Sequence, residues 1–102
     1  MTMPLDWETV RRRYEADPAV QPIARSTRML TVVAVEDERI VITSRLWTKS
    51  LERGHLETAV ELIEQGTLTR RWGDFVEAYG KHVTKERRSL AAHVLTDLGY
   101  LE

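Results

Sequence analysis

Two apolar runs of strand length, held four charged residues apart, constrain this chain more than any other feature. MLTVVAV (29–35) and IVITSRLW (40–47) are rich in β-branched side chains, which favour extended backbone, and Glu36, Asp37, Glu38 and Arg39 lie between them. Runs at that spacing predict an antiparallel β-hairpin. Alternation puts Leu30, Val32 and Ala34 on one face of the first strand, and Ile40, Ile42, Ser44 and Leu46 on one face of the second. The opposite faces carry Met29, Val33 and Val35, then Val41, Thr43, Arg45 and Trp47, a mixed set expected to be half covered. The turn contains no Asn-Gly or Asp-Gly pair, so neither its type nor the register follows from sequence.

The segments around the hairpin read as helices. Leu56, Ala59, Val60 and Ile63 recur at i, i+3, i+4 and i+7, with Ser50 or Glu52 as N-cap and Gly66 as a left-handed stop. The outer face of that helix, Glu57, Glu61 and Glu64, would repel phosphate. Upstream, Asp6 suits the N-cap of a first helix whose Trp7, Val10 and Tyr14 share a face, with Leu5 placed to pack on Val10. Pro18 should end this helix by Ala16. Arg11, Arg12 and Arg13 read as a solvated face beside Glu8 and Glu15 rather than a phosphate contact. Asp17 to Arg28 reads as an extended connector, and its end, Arg25-Ser26-Thr27-Arg28, as a polar loop, with an arm along a nucleic-acid backbone as the alternative.

Downstream, Thr67-Leu68-Thr69 is a short strand or the approach to a helix capped by Thr69. Trp72, Phe75, Val76, Tyr79 and Val83 form a helical stripe in which Gly80 marks the end. Thr84 is a candidate N-cap for a last helix carrying Leu90, Ala91, Val94, Leu95 and Leu98, and Gly99 closes it. With 102 residues, 42% of them hydrophobic, the chain fits one small domain with its own core. The expected fold is α+β: an N-terminal helix and extended arm (1–28), an antiparallel β-hairpin and helix (29–66), and a C-terminal helical pair (67–102), with three helices packed on the sheet.

The absence of cysteine removes disulfides, thiolate metal sites and cysteine nucleophiles together. No run approaches the ~18 apolar residues of a membrane span, and the first residues lack a signal-peptide core, so a soluble cytoplasmic protein without a membrane partner is expected. Enzymatic function is not expected. Five scattered glycines build neither a P-loop nor a dinucleotide fingerprint, no serine is locally activated, and Glu57 and Glu61 sit on an exposed face without an apolar pocket. His55, His82 and His93 read as surface or capping histidines, so neither a metal site nor a cofactor is expected.

Charge is distributed unevenly within a net of −1. Residues 1–28 carry +1, 29–66 carry −3, 67–93 carry +3 and 94–102 carry −2, so the third segment is where an anionic partner belongs. The expected helices there, 70–81 and 85–98, are joined by three or four residues, a spacing that resembles a helix-turn-helix. That resemblance implies a second helix offering Lys85, Arg87, Arg88 and Ser89 from its first turns, with Arg70, Arg71 and Lys81 beside it on phosphates. Arg forks to guanine, and a basic N-terminal turn opposes the helix dipole at a small cost in stability, which favours a functional reason for it. The expected function is a small non-catalytic binding module of bacterial type, binding DNA or RNA and regulatory, through the helical pair. The alternative is a protein-interaction or homodimeric accessory protein that uses the hairpin edge and Arg45, Trp47 and Lys49; Trp47 reads as a residue packed under the N-terminal helix or as an exposed anchor for a protein partner or a stacked base.

Overall fold

A computed structural model describes residues 5–20 and 30–101. Helix α1 (Trp7–Ala16) leads into a four-stranded antiparallel meander, β1 (Ala19–Val20), β2 (Leu30–Val35), β3 (Arg39–Thr43) and β4 (Thr48–Glu52), followed by α2 (Arg53–Glu64), α3 (Trp72–His82) and α4 (Arg88–Asp97). This is the expected α+β domain, with two strands that the sequence pattern did not announce. β1 is two residues long, and β4 is TKSLE, whose mixed composition carries no strand period. Each is extended because β2 and β3 supply hydrogen-bonding partners. The arm from Arg25 to Arg28 lies outside the described residues.

Local signals account for the helix ends. Asp6 caps α1: its carboxylate accepts from the Glu8 N–H at 3.1 Å and the Thr9 hydroxyl at 2.8 Å. The Thr9 hydroxyl, then the backbone N–H groups of Thr9 and Glu8, hold the Asp6 carboxyl below the usual carboxylate range. The helix stops at Ala16, ahead of Pro18. Gly66 (φ 82°) and Gly99 (φ 91°) take the left-handed conformation beyond α2 and α4. Glu52 is the N-cap of α2 without a side-chain bond; β4 runs straight into the helix, and the Arg53 N–H is satisfied by the Glu38 carbonyl at 2.8 Å. Thr69 and Thr84 accept N–H bonds two residues ahead but cap no helix; α3 begins after Arg71 and α4 after Arg87.

Strict alternation fails along β2. Val32 pairs with Ile42 and Ala34 with Val41, so Val33 is an extra, bulged residue, 61% exposed. Beyond the bulge the faces exchange, and Val35, not Ala34, stands opposite the buried Ile40. The second strand ends at Thr43, short of the expected Trp47. Ser44 to Trp47 form the turn into β4, closed by the Ser44 N–H on the Trp47 carbonyl at 2.8 Å. Leu46, expected on the core face, stands 92% exposed at the tip of that turn.

The core lies between the Leu30–Val32–Ile40–Ile42–Leu51 face of the sheet and the apolar stripes of the helices: Trp7, Val10 and Tyr14, then Leu56, Ala59, Val60 and Ile63, then Phe75 and Tyr79, then Leu90 through Leu95. Two phenols are buried in it. Burial, then the hydrogen bond to Asp97, raises the Tyr14 hydroxyl far above its ordinary value. Burial, with Glu52 second, pushes Tyr79 up to about 12. In the unfolded chain both ionise near 10. Above that pH the unfolded chain holds fewer protons than the folded one, so stability falls as pH rises. The contribution is fully present below pH 10 and is lost through 12 for Tyr79 and further up for Tyr14. The urea midpoint should therefore begin to drop near pH 10. Tyr79→Phe should flatten that drop at little cost at neutral pH, because the Tyr79 hydroxyl has no hydrogen-bond partner among the described residues.

Candidate functional site

Six of the ten residues singled out from sequence meet in one place. A cleft of about 300 Å³ runs between the β3–β4 turn and the start of α4, and Trp47, Lys49, Lys85, Arg87, Arg88 and Ser89 line it. The two groups expected to serve alternative functions thus share one surface. Its apolar wall is completed by Leu30, Val76 and Leu90, with His93 beside them.

Each side chain is there for a local reason. Trp47 ends the tight β3–β4 turn and packs half-buried against the core. Lys49 pairs with Ile42 and so shares the sheet's core face, yet it is exposed, because that face passes out from under the helices and opens into the cleft. Its ammonium lies 4.9 Å above the centre of the Trp47 ring, a cation–π contact. The joint between α3 and α4 is 83–87, longer than expected, so Lys85 and Arg87 belong to the joint rather than to a helical first turn. Arg87 is in the left-handed region (φ 51°, ψ 39°), the one non-glycine with positive φ among the described residues. An arginine there costs on the order of 1 kcal/mol of backbone strain that glycine would avoid. Gly80, read from sequence as a helix end, lies inside α3. A Cβ on it would sit 2.6 Å from Arg88 Cδ, so the bare backbone at 80 is what lets the Arg88 side chain cross α3.

The other four sequence candidates do not join them. Arg70 donates to the Tyr100 carbonyl at 3.2 Å and stands 3.9 Å from Glu64. Lys81 pairs with Glu77 at 3.9 Å on the exposed face of α3. Arg71 precedes α3, and Arg45 sits in the β3–β4 turn; both are exposed, and neither lines the cleft. The arginine triplet is largely structural: Arg11 holds Glu8 and Asp37, and Arg13 holds Asp97. Leu30, Val76, Leu90 and His93 were missed as site residues, since apolar stripe positions carry no local mark distinguishing a cleft wall from core. His93 also meets Trp72 edge-on, ring centres 5.8 Å apart.

Electrostatics separate this cleft from the rest of the surface. Among the described residues, no ion pair involves Lys49, Lys85 or Arg88, and Arg87 has only Glu86, itself exposed, at 3.8 Å. Elsewhere Arg11, Arg13, Arg39, Arg53, Arg70 and Lys81 each face a carboxylate within 4.0 Å. Arg12, Arg45 and Arg71, in no ion pair among the described residues, do not line the cleft, so what sets the cleft apart is that Lys49, Lys85 and Arg88, and Arg87 with them, gather in it. The cleft beside Asp6 and Glu64, about 320 Å³, and that beside Glu38 and Glu52, about 410 Å³, are acidic in character. Among the described residues, no group of three or more His, Asp or Glu side chains could hold a metal ion, and no helix is long and apolar enough to cross a membrane. No protein-family model matches the chain, and neither a curated protein nor a solved structure is significantly similar to it.

Proposed function

We propose that the protein is a small non-catalytic module that binds nucleic acid and acts in regulation, and that the basic cleft is its contact surface. One observation carries the reading: Lys49, Lys85, Arg87 and Arg88 converge on a cleft with little carboxylate to neutralise them, in a chain whose net charge is −1. Such local, uncompensated charge attracts a polyanion even when the whole molecule does not. The left-handed Arg87 supports it, since backbone strain kept at a cationic residue is more readily understood where the charge has a use.

Fluorescence anisotropy with labelled DNA and RNA at roughly 50 mM salt should show binding that weakens steeply as salt is added. Arg87→Ala combined with Arg88→Ala should lower affinity and reduce the salt slope by about two, one for each phosphate no longer neutralised. No binding of any nucleic acid at low salt removes the reading. A protein-interaction or homodimeric role for Trp47 is a second reading, resting on the 92% exposed Leu46 beside it; β4 takes the β3 edge of the hairpin and β1 the start of β2, so that edge is not open to strand addition there. Sedimentation of the same samples separates the two. Self-association abolished by Trp47→Ala supports the second, and a strict monomer indifferent to that change counts against it.

A further inference from the structure

We propose that the cleft takes an unpaired nucleotide of a single strand, its base against Leu30, Trp47 and Val76 and its phosphate among Lys85, Arg87 and Arg88, in preference to a duplex. This rests on the nucleic-acid reading of the cleft and names its substrate class. The first ground is the state of α4. After Arg88 and Ser89, none of its residues is exposed; Leu90, Ala91, Ala92, Val94 and Leu95 are buried, and His93, Thr96 and Asp97 are half-buried. A recognition helix reads base edges mainly with residues of its N-terminal turns, and α4 exposes only two there, Arg88 and Ser89, before the core covers it. Two exposed residues give a duplex-reading helix little to read with.

The composition and size of the cleft are the second ground. Charge and apolar surface are joined in it: a half-buried indole, an α3 valine and the edge of the buried Leu30 line it together with Lys85, Arg87 and Arg88. A duplex presents phosphates on its outside while its base faces are covered by their stacked neighbours, so the apolar wall would stay unused. An unpaired nucleotide has one phosphate and one free aromatic face, which is the pairing of groups found here. About 300 Å³ is the lower end of the range for small-ligand sites, room for one such unit rather than for a helix. Lys49, over the Trp47 ring, adds a fourth cation to the same lining.

The test compares a labelled oligothymidylate of about ten nucleotides, a duplex of the same length and thymidine monophosphate at one low salt concentration. The strand should bind more tightly than either. Trp47→Ala should weaken strand binding on the order of tenfold and leave the weak duplex binding unchanged, while Trp47→Phe keeps the preference. Arg87→Ala with Arg88→Ala should weaken both. Circular dichroism and the Phe variant guard against a folding defect. Duplex binding as tight as the strand, or a Trp47→Ala loss equal for both, overturns the inference and leaves the nucleic-acid reading standing. Monophosphate binding as tight as the strand overturns the strand as the source. Failure of all three to bind overturns the reading and the inference together.

Discussion

Asp97→Ala should cost about 3 kcal/mol of folding stability. The Asp97 side chain has no exposed surface, accepts the Tyr14 hydroxyl at 2.7 Å and faces the Arg13 guanidinium at 3.2 Å. It ties α1 to the last turn of α4, where the dipole disfavours an acid, so the partners on α1 are what make a carboxylate tolerable there. Removing it leaves a buried phenol without its acceptor and a guanidinium, 30% exposed, without its counter-charge. The partial exposure of Arg13 keeps the expected loss toward the lower end of what breaking a buried pair costs. Against a total of roughly 5–15 kcal/mol for a domain of this size, that is a large share. Asp97→Asn, which retains an acceptor for Tyr14, should lose less. Urea unfolding measures both, and a loss under about 1 kcal/mol for the alanine variant would contradict the buried tie.

Trp7→Ala should be as damaging, at about 3–5 kcal/mol, for a different reason. The indole is buried, its N–H donates to the Glu36 carbonyl at 2.7 Å, and the Arg53 guanidinium lies 5.3 Å above the ring. One side chain therefore joins α1, the β2–β3 turn and the first residue of α2. Truncation opens a large cavity and strands a carbonyl. Trp7→Phe keeps most of the bulk and should lose only about 1–2 kcal/mol. Thermal melts should show the alanine variant more than about 10 °C below the parent. A shift of a degree or two would mean that the three elements hold together without it.

The two changes bear on how the fold could be read in advance. Trp7, Val10 and Tyr14 were legible as one buried face, as were Leu56, Ala59, Val60 and Ile63, because helical periodicity repeats within a few residues and burial follows from it. Asp6, Pro18, Gly66 and Gly99 were legible as punctuation for the same reason: each acts on backbone one to four residues away. The ties of Asp97 to Tyr14 and of Trp7 to Glu36 were not, since they span 83 and 29 residues of sequence and leave no periodic trace. The bulge at Val33 was equally hidden. β-Branched residues fit either face of a strand, so only the pairing with β3 decides which residue is extra.

The candidate site divides in the same way. Its residue types were readable: a basic stretch at 85–88 and a tryptophan beside a lysine at 47–49 are unusual enough to be marked in the chain. Their union was not, because it depends on β4 adding to the sheet, on the 83–87 joint, and on α4 burying most of its surface so that only its start faces outward. Sequence by itself determined the helices, the hairpin and the ingredients of a polyanion contact, since propensity, capping and periodicity act over a few residues. Tertiary structure alone decided that Trp47 and Lys49 stand in one cleft with Lys85, Arg87 and Arg88, while Arg70 and Lys81 turn to carboxylates elsewhere. Convergence is set by how packed elements cross, and a one-dimensional pattern does not encode it.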